Sequence, residues 1–176
     1  MTTYVALLHS IVLGHGRRVV MSDLRAMAIS LGFSDPRTLV ATGNLVFEAG
    51  TATVHDIEEQ LEAGFAKRFG KHVDIIVREG GAWLKLAKAN PFPEGVGSDV
   101  IVRVMRQPLN ASAMEILHRY QTSKERIRLV DGDLWIDFNG KPSESRLPSA
   151  LTTKRMGVGT LRNWNTVRRL AEMVAQ

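Results

Sequence analysis

The chain has 176 residues, of which 44% are apolar and 23% charged, enough apolar material to bury the core of one domain or two small ones. It contains no cysteine, which excludes disulfides, thiolate zinc sites and cysteine nucleophiles and points to a reducing cytosol. A formal net charge of +5 favours anionic partners such as phosphates, nucleotides or nucleic acid.

Tyr4 to His9 is a short apolar run and reads as a buried strand. The wider stretch YVALLHSIVLG has no basic segment before it and falls short of the ~20 apolar residues of a membrane span. No membrane partner is therefore expected. A helix follows, with Ser22 as its cap, Leu24, Met27, Ala28 and Leu31 on one face, and Gly32 as its stop. Residues 37–49, RTLVATGNLVFEA, place two β-rich runs around Thr42, Gly43 and Asn44, which predicts a hairpin. From Thr53 to Phe69 the spacing of Val54, Ile57, Leu61, Phe65 and Phe69 is helical, and residues 72–77 form another β run. The order is β-α-β-β-α-β.

The same order recurs. RTLVATGNLVFEA aligns without a gap on RIRLVDGDLWIDF, which begins at Arg126; Arg37 falls on Arg126, Gly43 on Gly132, Leu45 on Leu134 and Glu48 on Asp137. The same offset lays Gly70 on Gly159, and after a small deletion residues 83–89 lie over residues 167–173. The second copy opens with a strand at 99–105 and a helix at about 111–120, carrying Met114, Ile116, Leu117 and Tyr120. The competing reading is two unrelated hairpins, since glycine-centred turns with apolar flanks are common. The expected fold is α+β: two tandem ferredoxin-like (βαββαβ) α/β plaits, each followed by an extra C-terminal helix. The expected domains are 1–90, a Pro- and Gly-bearing linker at 91–98, and 99–176.

Three basic junctions are candidate sites. In GTLRNWNTVRRL, residues 159–170, Asn163 reads as a helix cap and Trp164 as core, while Arg162, Asn165 and Arg169 lie together beside a helix N-terminus that favours an anion. The plain alternative is a solvated face. The loop LGHGRRVV offers Arg17 and Arg18 next to Gly14 and Gly16, but Val19 stands where a dinucleotide fingerprint needs its third glycine. In NGKPSESRL, Lys141 and Arg146 precede an expected helix with Ser145 as cap; Pro142 after the lysine excludes a Walker loop.

Catalytic constellations are missing. The five histidines show no i, i+4 pair and no local carboxylate cluster, so a metal site would have to be assembled from afar, and no metal or cofactor is expected. Glu58, Glu59 and Glu62 read as the solvated face of a long helix, and Trp83 as core.

The opening strand with its loop into VVMSDLRAMAISLGF, the hairpin ATGNLVF, and SRLPSAL followed by RNWNTVRRL together carry a resemblance. The chain resembles the bacterial proteins catalogued as domain of unknown function 1697 over nearly its whole length. The resemblance implies two ferredoxin-like halves and brings no activity, cofactor or catalytic residue with it. Members usually have Arg-Gly-Ile-Asn-Val-Gly-Gly after the first strand, where this chain has HSIVLGHG, with His9 and Ser10 in the Arg-Gly places. Three functions follow as expectations: a binding protein for a phosphorylated or nucleic-acid ligand, using Arg17, Arg18, Lys141, Arg146, Arg162, Asn165 and Arg169; an enzyme on a small anionic substrate, with His9, Ser10 or His15; or a structural, homo-oligomerising module.

Overall fold

The computed structural model describes residues 1–176, the side chain of Ala41 excepted. It is a mixed α+β protein whose chain divides into two compact units, Met1–Ala87 with Arg169–Gln176, and Lys88–Arg168. Residues 91–98, read from sequence as a linker, fall within the second unit, where Phe92 is buried and lies under the Arg126 guanidinium.

The first unit runs β1 (Thr2–Leu8), β2 (Val12–Gly14), β3 (Arg17–Arg18), α1 (Met21–Ser30), β4 (Ser34–Thr38), β5 (Asn44–Ala49), α2 (Val54–Phe69), β6 (Ile75–Glu79) and α3 (Gly80–Lys88). Four of its strands form an antiparallel sheet in the order β4-β5-β1-β6. Alternate residues of β1, Tyr4, Ala6 and Leu8, meet Leu45, Phe47, Ile75 and Val77 from the neighbouring strands. Over that face lie Leu24, Met27 and Ala28 of α1 and Ile57, Leu61 and Phe65 of α2, so the three-and-four spacing of both helices is the spacing of the core. Thr53 caps α2 by accepting the Asp56 N–H at 3.1 Å, and Gly70 ends it with φ +75°.

Two local expectations for this unit change. Ser22 does not cap α1: the capping position is Val20, with no side-chain bond, and Ser22 sits inside the first turn. The loop after β1 folds back on itself as the antiparallel β2–β3 ribbon, Val12–Gly14 against Arg17–Arg18, directly ahead of α1.

The second unit runs β7 (Val100–Met105), α4 (Ala111–Tyr120), β8 (Arg126–Val130), β9 (Asp133–Asp137), α5 (Thr153–Met156), β10 (Gly159–Asn163) and the start of α6 (Trp164–Ala175). Its antiparallel sheet has the order β10-β7-β9-β8. In both sheets, therefore, the first strand lies between the third and fourth, and the second forms an edge. The β8–β9 turn is tight, with φ +50° at Asp131 and +85° at Gly132. The matching turn of the first unit is longer, a short 3-10 segment at Val40–Thr42 closed by Gly43 at φ +83°. Between β9 and β10 there is no counterpart to α2. The helix expected after Ser145 is replaced by 3-10 turns at Pro142–Glu144 and Leu147–Ala150, each with a proline in its first turn, and by the single turn of α5.

The 89-residue offset holds at β5 and β9, which begin at Asn44 and Asp133, but not beyond. Gly70 ends a helix while Gly159 opens β10 and is buried. The last strand and helix of the two units, starting at Ile75 and Gly80 against Gly159 and Trp164, share the register of residues 83–89 on 167–173 instead. Asn163 caps α6, accepting the Thr166 N–H at 3.0 Å. Trp164, expected in the core, is half-buried; its ring lies 6.2 Å from that of the buried Trp135. No helix is long and apolar enough to cross a membrane among the described residues.

Candidate functional site

The helix α4 starts cleanly because the Asn110 side chain accepts the Ser112 N–H at 3.1 Å. Ala113 and Leu117 turn inward to the core of the second unit, which leaves Ile116, Arg119 and Tyr120 along the flank of its last turn. Opposite that flank, the segment after β9 is pinned by the buried Leu147 and Ala150, and this places Arg146, the residue before the 3-10 turn, at the surface. The single turn of α5 is anchored by buried Met156 and capped by Thr152, which orients Arg155.

Ile116, Arg119, Tyr120, Arg146 and Arg155 thereby line an open cleft of about 490 Å3. The Arg155 and Arg146 guanidinium carbons lie 5.4 Å and 5.7 Å from the Tyr120 ring centroid, within cation–π range. Arg155 also donates to the Tyr120 hydroxyl, and an Arg146 Nη2 lies 3.5 Å from the Arg119 carbonyl oxygen. The hydrogen bond from Arg155 holds the Tyr120 phenol below its ordinary value, helped by the charges of Arg155, Arg146 and Arg119. No carboxylate lines the cleft, and none pairs with Arg119, Arg146 or Arg155 among the described residues. The nearby acid Glu125 is buried and already engaged: its carboxylate accepts from the Ser145 hydroxyl, and from the Thr122 N–H and hydroxyl at 2.8 and 3.1 Å. Three uncompensated guanidiniums on one concave surface repel one another, and an anion relieves that repulsion.

Of the ligand-binding candidates named from the sequence, only Arg146 lines this cleft. Lys141 is exposed ahead of the first 3-10 turn. Arg17 and Arg18 form the exposed β3 of the first unit. Arg162 lies on β10, not on the helix face, and is buried; its guanidinium donates to the Thr160 hydroxyl at 2.9 Å and the Leu161 carbonyl at 2.8 Å. Burial pushes its pKa down to about 10. Asn165 and Arg169 are exposed on α6, Arg169 being counted with the first unit. Tyr120 was legible as an apolar-face residue of a helix, but nothing in the spacing joined it to Arg146 and Arg155, which lie 26 and 35 positions on in the sequence.

The other polar residues behave differently. His9, exposed, follows β1 and its backbone N–H bonds the Asp74 carbonyl at 2.9 Å; the Ser10 hydroxyl accepts the Val12 N–H at 3.1 Å; His15 is exposed at the ribbon tip with φ +52°. Glu62, His72 and Asp74 come together with their ligand atoms within 4.8 Å of one another, a grouping that the sequence spacing does not announce. Each of its members has a partner: Glu62 accepts the Ile75 N–H at 3.0 Å, and His72 and Asp74 bond each other at 3.0 Å.

No curated protein matches the sequence. A solved structure, that of a conserved bacterial protein from Streptococcus pneumoniae, is similar with a TM-score of 0.77 at 18% identity, covering 100% of this chain and 99% of that one. At that identity the likeness establishes the shared fold. The family model described as protein of unknown function (DUF1697) matches residues 1–135, three quarters of the chain, so the protein belongs to that bacterial family.

Proposed function

We propose that the protein binds an anionic ligand, phosphorylated or part of a nucleic acid, in the cleft where Arg119, Arg146 and Arg155 surround Tyr120. The observation that carries this reading is the convergence of three guanidiniums without a carboxylate among the residues of the cleft. Arginine supplies flat, forked donors suited to phosphate oxygens, and Tyr120 holds two of the forks in place, which lowers the ordering cost on binding. The volume falls in the range of small-ligand sites, about 300 to 1,000 Å3.

Titrating short single-stranded DNA and RNA against salt tests the reading. Engagement of three phosphates predicts a slope of log affinity on log salt of roughly −2, at about 0.7 per phosphate. Replacing Arg119, Arg146 and Arg155 together by alanine is expected to abolish both the binding and the slope. Unchanged binding in that triple variant would remove the proposal.

The same reading takes each unit as a ferredoxin-like plait and the pair as an internal duplication. It is supported by the common strand order of the two sheets, by the helix that follows the last strand in each, and by a positive-φ glycine before the third strand in both, Gly43 and Gly132. A cysteine-free chain suits a reducing cytosol, where phosphorylated small molecules and nucleic acids are both at hand.

A further inference from the structure

We infer that the cleft takes a terminal phosphate monoester in preference to the internal phosphodiesters of a nucleic-acid chain. This rests on the anion-binding reading above and narrows it to a substrate class. The reachable cations of the second unit's cleft are gathered at a point. Arg119, Arg146 and Arg155 share one concavity, while Arg162 is spent on its own strand and Lys141 lies outside the lining. A polymer backbone rewards a track of charges spread over several phosphates, and an unspecific single-strand site adds a series of exposed rings. Here one ring is present in the cleft, and two guanidiniums are already seated over it, so it is occupied as a support and is not offered as a stacking platform.

Three forks around one point match the other kind of phosphate. A monoester carries about −1.5 to −2 charges at pH 7 and three free oxygens, with its second proton leaving near pH 6. A diester carries a single charge and two free oxygens. Each forked donor can take a pair of oxygens, and the missing carboxylate means that the full charge of a dianion is needed to balance the site. Ile116 gives the cleft its apolar side, against which the carbon part of a phosphorylated small molecule can rest.

The experiment compares adenosine 5′-monophosphate, its phosphate methyl ester, and an oligothymidylate without terminal phosphates, each titrated into the full-length protein and followed by calorimetry or amide chemical shifts. The monoester is expected to bind at least about tenfold more tightly than the methyl ester at pH 8, with the gap closing towards pH 5 as the phosphate takes up its second proton. Arg155→Ala and Arg146→Ala should each lose that preference. Arg155→Lys, which keeps the charge and removes the fork, should fall in between. Lys67→Ala/Arg68→Ala, a comparable loss of charge in the first unit, should bind as the native chain does. Thermal melts confirm that each variant is folded. Equal affinity for monoester and methyl ester, or tighter binding of the oligothymidylate with binding still lost on removing the three arginines, would overturn the monoester inference and leave the anion-binding reading standing. Absence of binding by all three probes, or binding untouched by the arginine substitutions, would overturn both.

Discussion

Glu125 holds the cleft together without entering it. Its carboxylate receives the Ser145 hydroxyl, and the same hydroxyl accepts the Leu147 N–H at 3.1 Å, so the residue on either side of Arg146 is fixed. Burial pushes the Glu125 carboxyl up, but the Ser145 and Thr122 hydrogen bonds and the Lys124 charge outweigh it, and the group ends below its ordinary value. A carboxyl depressed in the folded state stabilises the fold above its unfolded pKa of about 4.3, and that stabilisation is lost as pH falls through the folded value. Glu125→Gln is therefore expected to cost about 1 to 3 kcal/mol at pH 7, read from urea unfolding, with the difference from the native chain shrinking towards pH 2. A variant as stable as the native protein at neutral pH would contradict this role. Arg162 shows the opposite arrangement: a charge buried in a strand, bonded to the Leu161 carbonyl and the Thr160 hydroxyl of the same strand, serves the fold and is not presented to a ligand.

At the scale of elements, α2 contributes more than an apolar stripe. The sequence read Glu58 and Glu62 as solvated, but Glu58 is buried and the pair accept the Val77 and Ile75 N–H groups of the edge strand β6, each at 3.0 Å. The match is geometric. Four residues of helix rise about 6.0 Å and two residues of strand about 6.6 Å, so carboxylates at i and i+4 meet alternate amides. Helical periodicity revealed which residues face the core, yet it cannot show that a neighbouring strand runs alongside with its donors turned outwards. Glu58→Ala should strand the Val77 amide and cost about 1 to 3 kcal/mol, with faster hydrogen exchange at Val77, whereas Glu58→Gln retains an acceptor and should cost less. Exchange at Val77 unchanged by the alanine variant would refute the assignment. Elsewhere the legible elements were those with strong local signals: α2 with Thr53 and Gly70 at its ends, β5 and β9 after their glycines, and Asn163 ahead of α6. The segment between β9 and β10 was not legible as one without a long helix, because two prolines among capping residues signal a helix start as well as a break.

For the molecule as a whole, the sequence supported the α+β class, the two β-rich halves and the extra helix after each, while the cleft stayed hidden because its three arginines come from three separate segments of one unit. The division of the chain carries its own prediction. Residues 169–176 count with the first unit, where the Met173 carbonyl accepts from an Arg37 Nη1 at 3.1 Å and Val174 packs close to Gly80. Deleting those eight residues is expected to speed hydrogen exchange in β4 and α3 and leave β8 as protected as before; equal loss in β8 would count against that division. The carboxylate-sealed margin of β6 has a consequence for self-association as well. An incoming strand would find the Ile75 and Val77 amides already bonded to the chain's own helix, which takes away two of the donors by which copies of this protein could extend the sheet into a fibre.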